Sequence, residues 1–219
     1  MLRNLLGIGL GLAVAASLAG CRVNVDKSAN GEDKKVQVDT PFGGLHVNTG
    51  QTTAADLGLP VYPGAQVFVN NDEHKSADVH MGFGEWQLRV RAVSYATTDP
   101  SDKVADFYKK ALARYGDVLT CHNKQPVGTP VTTSEGLTCA DDSNNVNVNM
   151  DDKKKGFSIS SDDSHKGMHF NIHEGTELKA GSKKHQHIVG IGEQKEDGKT
   201  VFELVALDLP GSSSDKGTD

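Results

Sequence analysis

Apolar and polar positions change period several times along the chain, and each change marks an element. Leu5 to Ser17 is an apolar run, and small residues follow it. Arg22 to Lys35 then has no apolar period, as expected of a solvated, flexible tether over 21–35. From Val36 the period becomes two. Val36 and Val38, then Leu45 and Val47, alternate with polar residues on either side of Pro41-Phe42-Gly43-Gly44, which predicts a hairpin. Leu57 to Ala65 contains two prolines that fix the backbone and Gly64 for a turn, and predicts a rigid connection. Val67 and Val69 open a further strand, and Trp86, Leu88, Val90 and Ala92 alternate along a longer one.

Only at about 100–115 does the spacing turn helical. Val104, Phe107, Tyr108, Ala111, Leu112 and Tyr115 recur at three and four residues, while Lys103, Asp106, Lys109, Lys110 and Arg114 take the other face. Asp99 is placed to cap this helix, Pro100 suits its first position, Asp102 its first turn, and Gly116 its stop. The aromatic stripe is the packing face of the helix rather than a ligand box.

Strands resume in the C-terminal half. Val146, Val148 and Met150, then Phe157 and Ile159, then Met168, Phe170 and Ile172 predict a meander whose other face carries Asn147, Asn149, Ser158, Ser160, His169, Asn171 and His173. Ile188 to Gly192 and Thr200 to Asp208 predict a hairpin around Asp197-Gly198. Val201, Phe202, Leu204, Val205 and Leu207 are apolar on both faces, so this strand belongs near the sheet centre with the helix on one side. The tail at 211–219 is Gly, Ser and charge, and is expected to be disordered. The fold class that follows is α+β, mainly an antiparallel β-sheet of hairpins and a meander with one packed amphipathic helix, in a single domain over 36–210.

The N-terminal run has a positive flank from Arg3 and the free amine, which gives 1–20 the profile of a signal peptide. A membrane-spanning helix needs about 20 apolar residues. Arg22, Asn24, Asp26 and Lys27 arrive too soon for one. Leu18-Ala19-Gly20-Cys21 resembles the lipobox of bacterial lipoproteins. The resemblance implies lipidation of the Cys21 thiol, cleavage before it, and an envelope location facing the periplasm. Arg22, where an Asp would imply inner-membrane retention, implies the outer membrane. The membrane, through this N-terminal lipid, is then a partner.

Charge and cysteine usage fit that picture. Removing 1–20 takes one basic residue from 23, leaving 22 against 29 acidic, a formal charge of -7. No basic face is available for nucleic acid, which is excluded as a partner. Assigning Cys21 to lipid leaves Cys121 and Cys139, which in an oxidising compartment are expected to form a disulfide around a short loop.

A second likeness covers Asp56 to Gly116. LGLPVYPGAQ, then a strand, then DPSDKVADFYKKALARYG is similar to uncharacterised bacterial envelope lipoproteins that share a YPGA turn and an FYKKxL helix. It implies fold and location and carries no activity.

Candidate chemistry is confined to histidine. His169 and His173 would share one strand face, and His185 and His187 another, so that neighbouring strands offer zinc or copper ligands if they lie side by side. Solvated polar strands explain the same residues, and no cofactor is expected. Asp141-Asp142, Asp151-Asp152 and Asp162-Asp163 fall at predicted turns, as do Lys153 to Lys155 and Lys183-Lys184. Asp26, Ser28, Asn30 and Gly31 open like a calcium loop, but Gln37 stands where its bidentate Glu belongs. No G-x-S-x-G, P-loop or H-E-x-x-H is present. The function expected is therefore a lipid-anchored envelope protein acting as a non-enzymatic binding or assembly module for an envelope protein or small ligand. A histidine-based metal-binding protein is the alternative and a hydrolase a distant one.

Overall fold

The computed structural model describes residues 20–27, 34–68, 76–141, 147–150, 157–160, 175–192 and 198–210. Its strands are β1 (Arg22–Lys27), β2 (Lys34–Thr40), β3 (Gly43–Thr49), β4 (Gln66–Val67), β5 (Ser76–Phe83), β6 (Trp86–Thr97), β7 (Val118–His122), β8 (Gln125–Pro126), β9 (Asn147–Met150), β10 (Phe157–Ser160), β11 (Thr176–Gly181), β12 (His185–Ile191) and β13 (Thr200–Asp208). The helix α1 spans Ser101–Leu112. One eleven-stranded antiparallel sheet runs β1-β2-β3-β5-β6-β13-β12-β11-β7-β8, with β4 on β6; β9 and β10 form a separate pair. The α+β class read from the sequence is the observed one.

Alternation decides the two faces. On one side Val93, Tyr95, Phe202, Leu204, Val189, Ile191 and Leu178 pack against Val104, Tyr108 and Leu112 of α1. On the other, Val47, Val79, Met81, Leu88, Val90, Ile188, Val205 and Leu207 form a second apolar cluster. Strand β13 lies between β6 and β12 and contributes to both, as its two-sided apolar pattern requires. The β12–β13 hairpin has the expected pairing, Ile191 opposite Phe202; Asp197 of its turn lies outside the described residues.

The Leu57 to Ala65 connection is pinned to the helical region by tyrosines. Tyr108 Oη donates to the Pro60 carbonyl at 3.1 Å and Tyr115 Oη to the Gly58 carbonyl at 2.7 Å. Tyr62, buried in the same cluster, donates to Asp99 Oδ2 at 2.7 Å. Burial of its ring and the Asp99 carboxylate push the Tyr62 hydroxyl up to about 12.

Two sequence expectations need correction. Asp99 does not cap α1 with its side chain: it accepts from Tyr62, and Pro100, in extended conformation, precedes the first helical residue Ser101. The helix runs on through a 3₁₀ turn, Ala113–Tyr115, to Gly116, the expected stop, whose φ of 114° ends it. The tether at 21–35 is not all flexible chain, since Arg22–Lys27 is strand β1, paired from Arg22–Asp39 to Lys27–Lys34. Main-chain pairing with β2 needs no buried side chains, which is why a polar segment can form it.

Candidate functional site

Beyond the end of α1, the helix-side face of the sheet continues as a polar strip. The register aligns one side chain from each of six neighbouring strands: Gln37, His46, His80, Arg89, Asp208 and His185 are successive Cα partners on β2, β3, β5, β6, β13 and β12. The adjoining row holds Asn48, Asp78, Arg91, Ala206 and His187. Cross-strand pairs of this kind stand within side-chain reach.

Charges on this ladder are matched to one another. Arg89 forks onto Asp78, Nε to Oδ1 at 2.9 Å and Nη2 to Oδ2 at 2.7 Å. This carboxylate raises the arginine further above its ordinary range. Asp208 accepts from Arg91 Nη2 at 3.2 Å and faces His185 Nδ1 at 3.0 Å. Arg91 also donates to the Asp56 carbonyl. His46 Nε2 meets Asp39 Oδ1 at 3.1 Å and His80 Nε2 meets Gln87 Oε1 at 2.8 Å, with the two imidazoles edge to face at 6.3 Å. Asn48 Oδ1 and Arg91 Nε, both on the second row, are buried without a partner. Such an atom costs about 1–3 kcal/mol.

His187 closes the strip against α1. Its ring stacks on Tyr115 with centroids 3.6 Å apart and planes inclined by 12°. Burial lowers its pKa, and the positive charge of Arg91 lowers it further. His185 and His187 therefore share a face, as their spacing predicts, but one pairs with Asp208 and the other with Tyr115. His169 and His173 lie outside the described residues, as do Asp142, Asp151, Asp152, Asp162, Asp163 and the Lys153 to Lys155 run. Among the described residues no three His, Cys, Asp or Glu side chains converge in a metal-binding arrangement.

Cys121 and Cys139 form the expected disulfide, with Cα atoms 5.7 Å apart. The bridge packs with Leu119 and Leu137 into a small buried cluster. Lys179 of β11, fully buried, holds the end of the bridged loop and the residues just after it: its Nζ donates to the carbonyls of Cys139 at 3.3 Å and Asp141 at 2.9 Å, and pairs with Glu177 Oε1 at 3.2 Å. Asp141, the described member of its acid pair, is a turn residue. Although burial raises its pKa, the Thr138 hydroxyl and N–H, both donating to Oδ2, outweigh that and lower it overall.

Cys21 is exposed and immediately precedes β1. Residues 1–19 lie outside the described residues. No described helix is long and apolar enough to cross a membrane.

The ladder residues His46, His80, Arg89, Arg91, Asp78 and Asp208 did not emerge as a group from sequence. Each sits between apolar neighbours on its own strand, a signal of one polar face, but only the register across six strands assembles them. Compared with known proteins, the chain matches no family model, no characterised protein and no solved structure.

Proposed function

We propose that this chain is a lipoprotein of the bacterial envelope, held by acyl chains on Cys21, that uses the polar ladder to bind a partner and does not catalyse a reaction. The observation that carries the anchoring is the position of Cys21: it closes the Leu18-Ala19-Gly20-Cys21 sequence, its thiol is exposed, and the sheet begins one residue later. More than one acyl chain on that residue suffices for stable attachment, each buried methylene contributing roughly 0.8 kcal/mol. Arg22 in the next position favours the outer membrane, with the domain in the periplasm.

The binding reading rests on the ladder as a continuous polar surface whose charges are paired across neighbouring strands. Arg89 is forked on Asp78, and Arg91 and His185 both face Asp208. Such a strip offers imidazoles, amides and paired charges on rigid central strands, which suits a hydrogen-bonding partner. A photo-crosslinking residue at His80 in living cells tests it. The reading predicts a discrete adduct at His80 that Arg89→Glu removes, and none from the same probe at exposed Glu135 on the disulfide loop. Equal labelling at both positions contradicts it.

A further inference from the structure

Two hairpin tips project at the end of the sheet where Cys21 enters it. Phe42 lies in the β2–β3 turn and is 85% exposed; Phe83 and Trp86 flank the β5–β6 turn at 50% and 39%. These are large apolar side chains, and leaving three of them in water at one end of a small protein calls for a partner surface. Phe83 and Trp86 pair across their hairpin with ring centroids 6.0 Å apart. Gly43 stands opposite Phe83, and its lack of a side chain matters: a Cβ there would come within 2.5 Å of Phe83 Cδ1. The Phe83 ring thus leans over Gly43 of β3.

The register continues this row to the anchor. Trp86 opposes Phe83, Phe83 opposes Gly43, and Gly43 opposes Thr40. Arg22 opposes Asp39, so Cys21 stands one step further, beside Thr40. A Cβ on Gly20 would meet the Pro41 ring at 2.7 Å, so the chain before Cys21 passes close against the same β2–β3 turn. Four strand spacings separate Cys21 from Trp86, roughly 19 Å at about 4.8 Å per strand.

We propose that Phe42, Phe83 and Trp86 form a docking surface for the lipid bilayer that receives the acyl chains of Cys21. The inference rests on lipidation at Cys21 as proposed above. Acyl chains on that residue hold this end of the sheet at the headgroup boundary, where Trp and other amphipathic aromatics partition best. Glu85 lies in the β5–β6 turn, so apolar burial rather than attraction to anionic headgroups drives the contact. One lipid-bearing residue leaves a domain free to pivot; a second contact at the far end of the same row fixes its orientation and turns the ladder to a constant angle from the membrane.

Trp86 is the only tryptophan in the chain, so its native emission reports this tip directly. Protein purified from membranes and reconstituted in phosphatidylethanolamine and phosphatidylglycerol vesicles is compared with and without lipid brominated in the upper acyl chain, while the mass of the N-terminal peptide reports lipid on Cys21. The proposal predicts blue-shifted emission, quenching by brominated lipid, and several-fold protection from aqueous acrylamide. Phe42→Ser, at a side chain too exposed to matter for folding, should lose much of that protection. Lipid on Cys21 with Trp86 fully open to acrylamide overturns the docking surface and leaves the lipoprotein reading intact. Protection without quenching by brominated lipid means that protein, for instance a second copy, covers the tip, and also overturns it. An N-terminal peptide without lipid refutes the anchoring, and the docking surface falls with it.

Discussion

The His187 imidazole lies flat on the Tyr115 ring, 3.6 Å between centroids, at the point where the apolar core under α1 gives way to the polar ladder. The position is half-buried, and burial disfavours the imidazolium. The folded state therefore binds this proton less readily than the unfolded chain, whose histidine has its ordinary pKa of about 6.5. Above that value both states are neutral and His187 makes no pH-dependent contribution. As pH falls below it, the unfolded chain takes up the proton first and stability declines, until the lowered folded pKa is passed. His187→Phe keeps the stack and removes the titration. Denaturant melts should show wild type losing stability relative to His187→Phe as pH falls below about 6.5; a difference that does not change with pH contradicts the assignment.

Lys179 yields a second expectation, concerned with the core rather than the ladder. Its ammonium sits fully buried among the Cys139 and Asp141 carbonyls and Glu177. Lys179→Met keeps the volume but leaves Glu177 without that ion pair and two carbonyls without their donor. Removing one partner of a buried ion pair typically costs about 3–5 kcal/mol. Chemical unfolding of the variant reads this directly, and a loss below about 1 kcal/mol would mean that the group behaves as a surface charge.

The disulfide carries a third. Cys121 and Cys139 are 18 residues apart, and closing such a loop restricts the unfolded chain by about 3 kcal/mol. Cys121→Ser with Cys139→Ser should fold with an unfolding free energy lower by that amount, read as a lower denaturation midpoint at unchanged slope. Peptide mapping of protein isolated with thiols blocked should recover the two cysteines as one linked pair; two free thiols contradict it.

What was legible in the sequence follows from which signals are local. Helix α1 shows itself because Val104, Tyr108 and Leu112 repeat on one face, and β13 because its apolar residues fill both. Strand β11 reads Thr-Glu-Leu-Lys-Ala-Gly and looks solvated, yet Glu177 and Lys179 are buried because each neutralises the other beneath the disulfide loop. Strand β1 is equally obscure, since it is held by main-chain bonds to β2 while Val23 and Val25 stay exposed. For the candidate site the limit is register. His46 and His80 are 34 positions apart in sequence (80 less 46) and become direct partners only through the β3–β5 pairing. His185 and His187 were legible as a pair on one face, but not the partners that separate their roles, Asp208 and Tyr115.

The central claim is lipid on Cys21, and metabolic labelling with palmitate followed by mass analysis of the N-terminal peptide tests it most directly. Wild type is predicted to begin at Cys21, to carry the label there, and to fractionate with membranes. Cys21→Ala should carry none and accumulate as an uncleaved or mislocalised precursor. Label and normal processing in Cys21→Ala, or an unmodified Cys21 in wild type, would contradict the account.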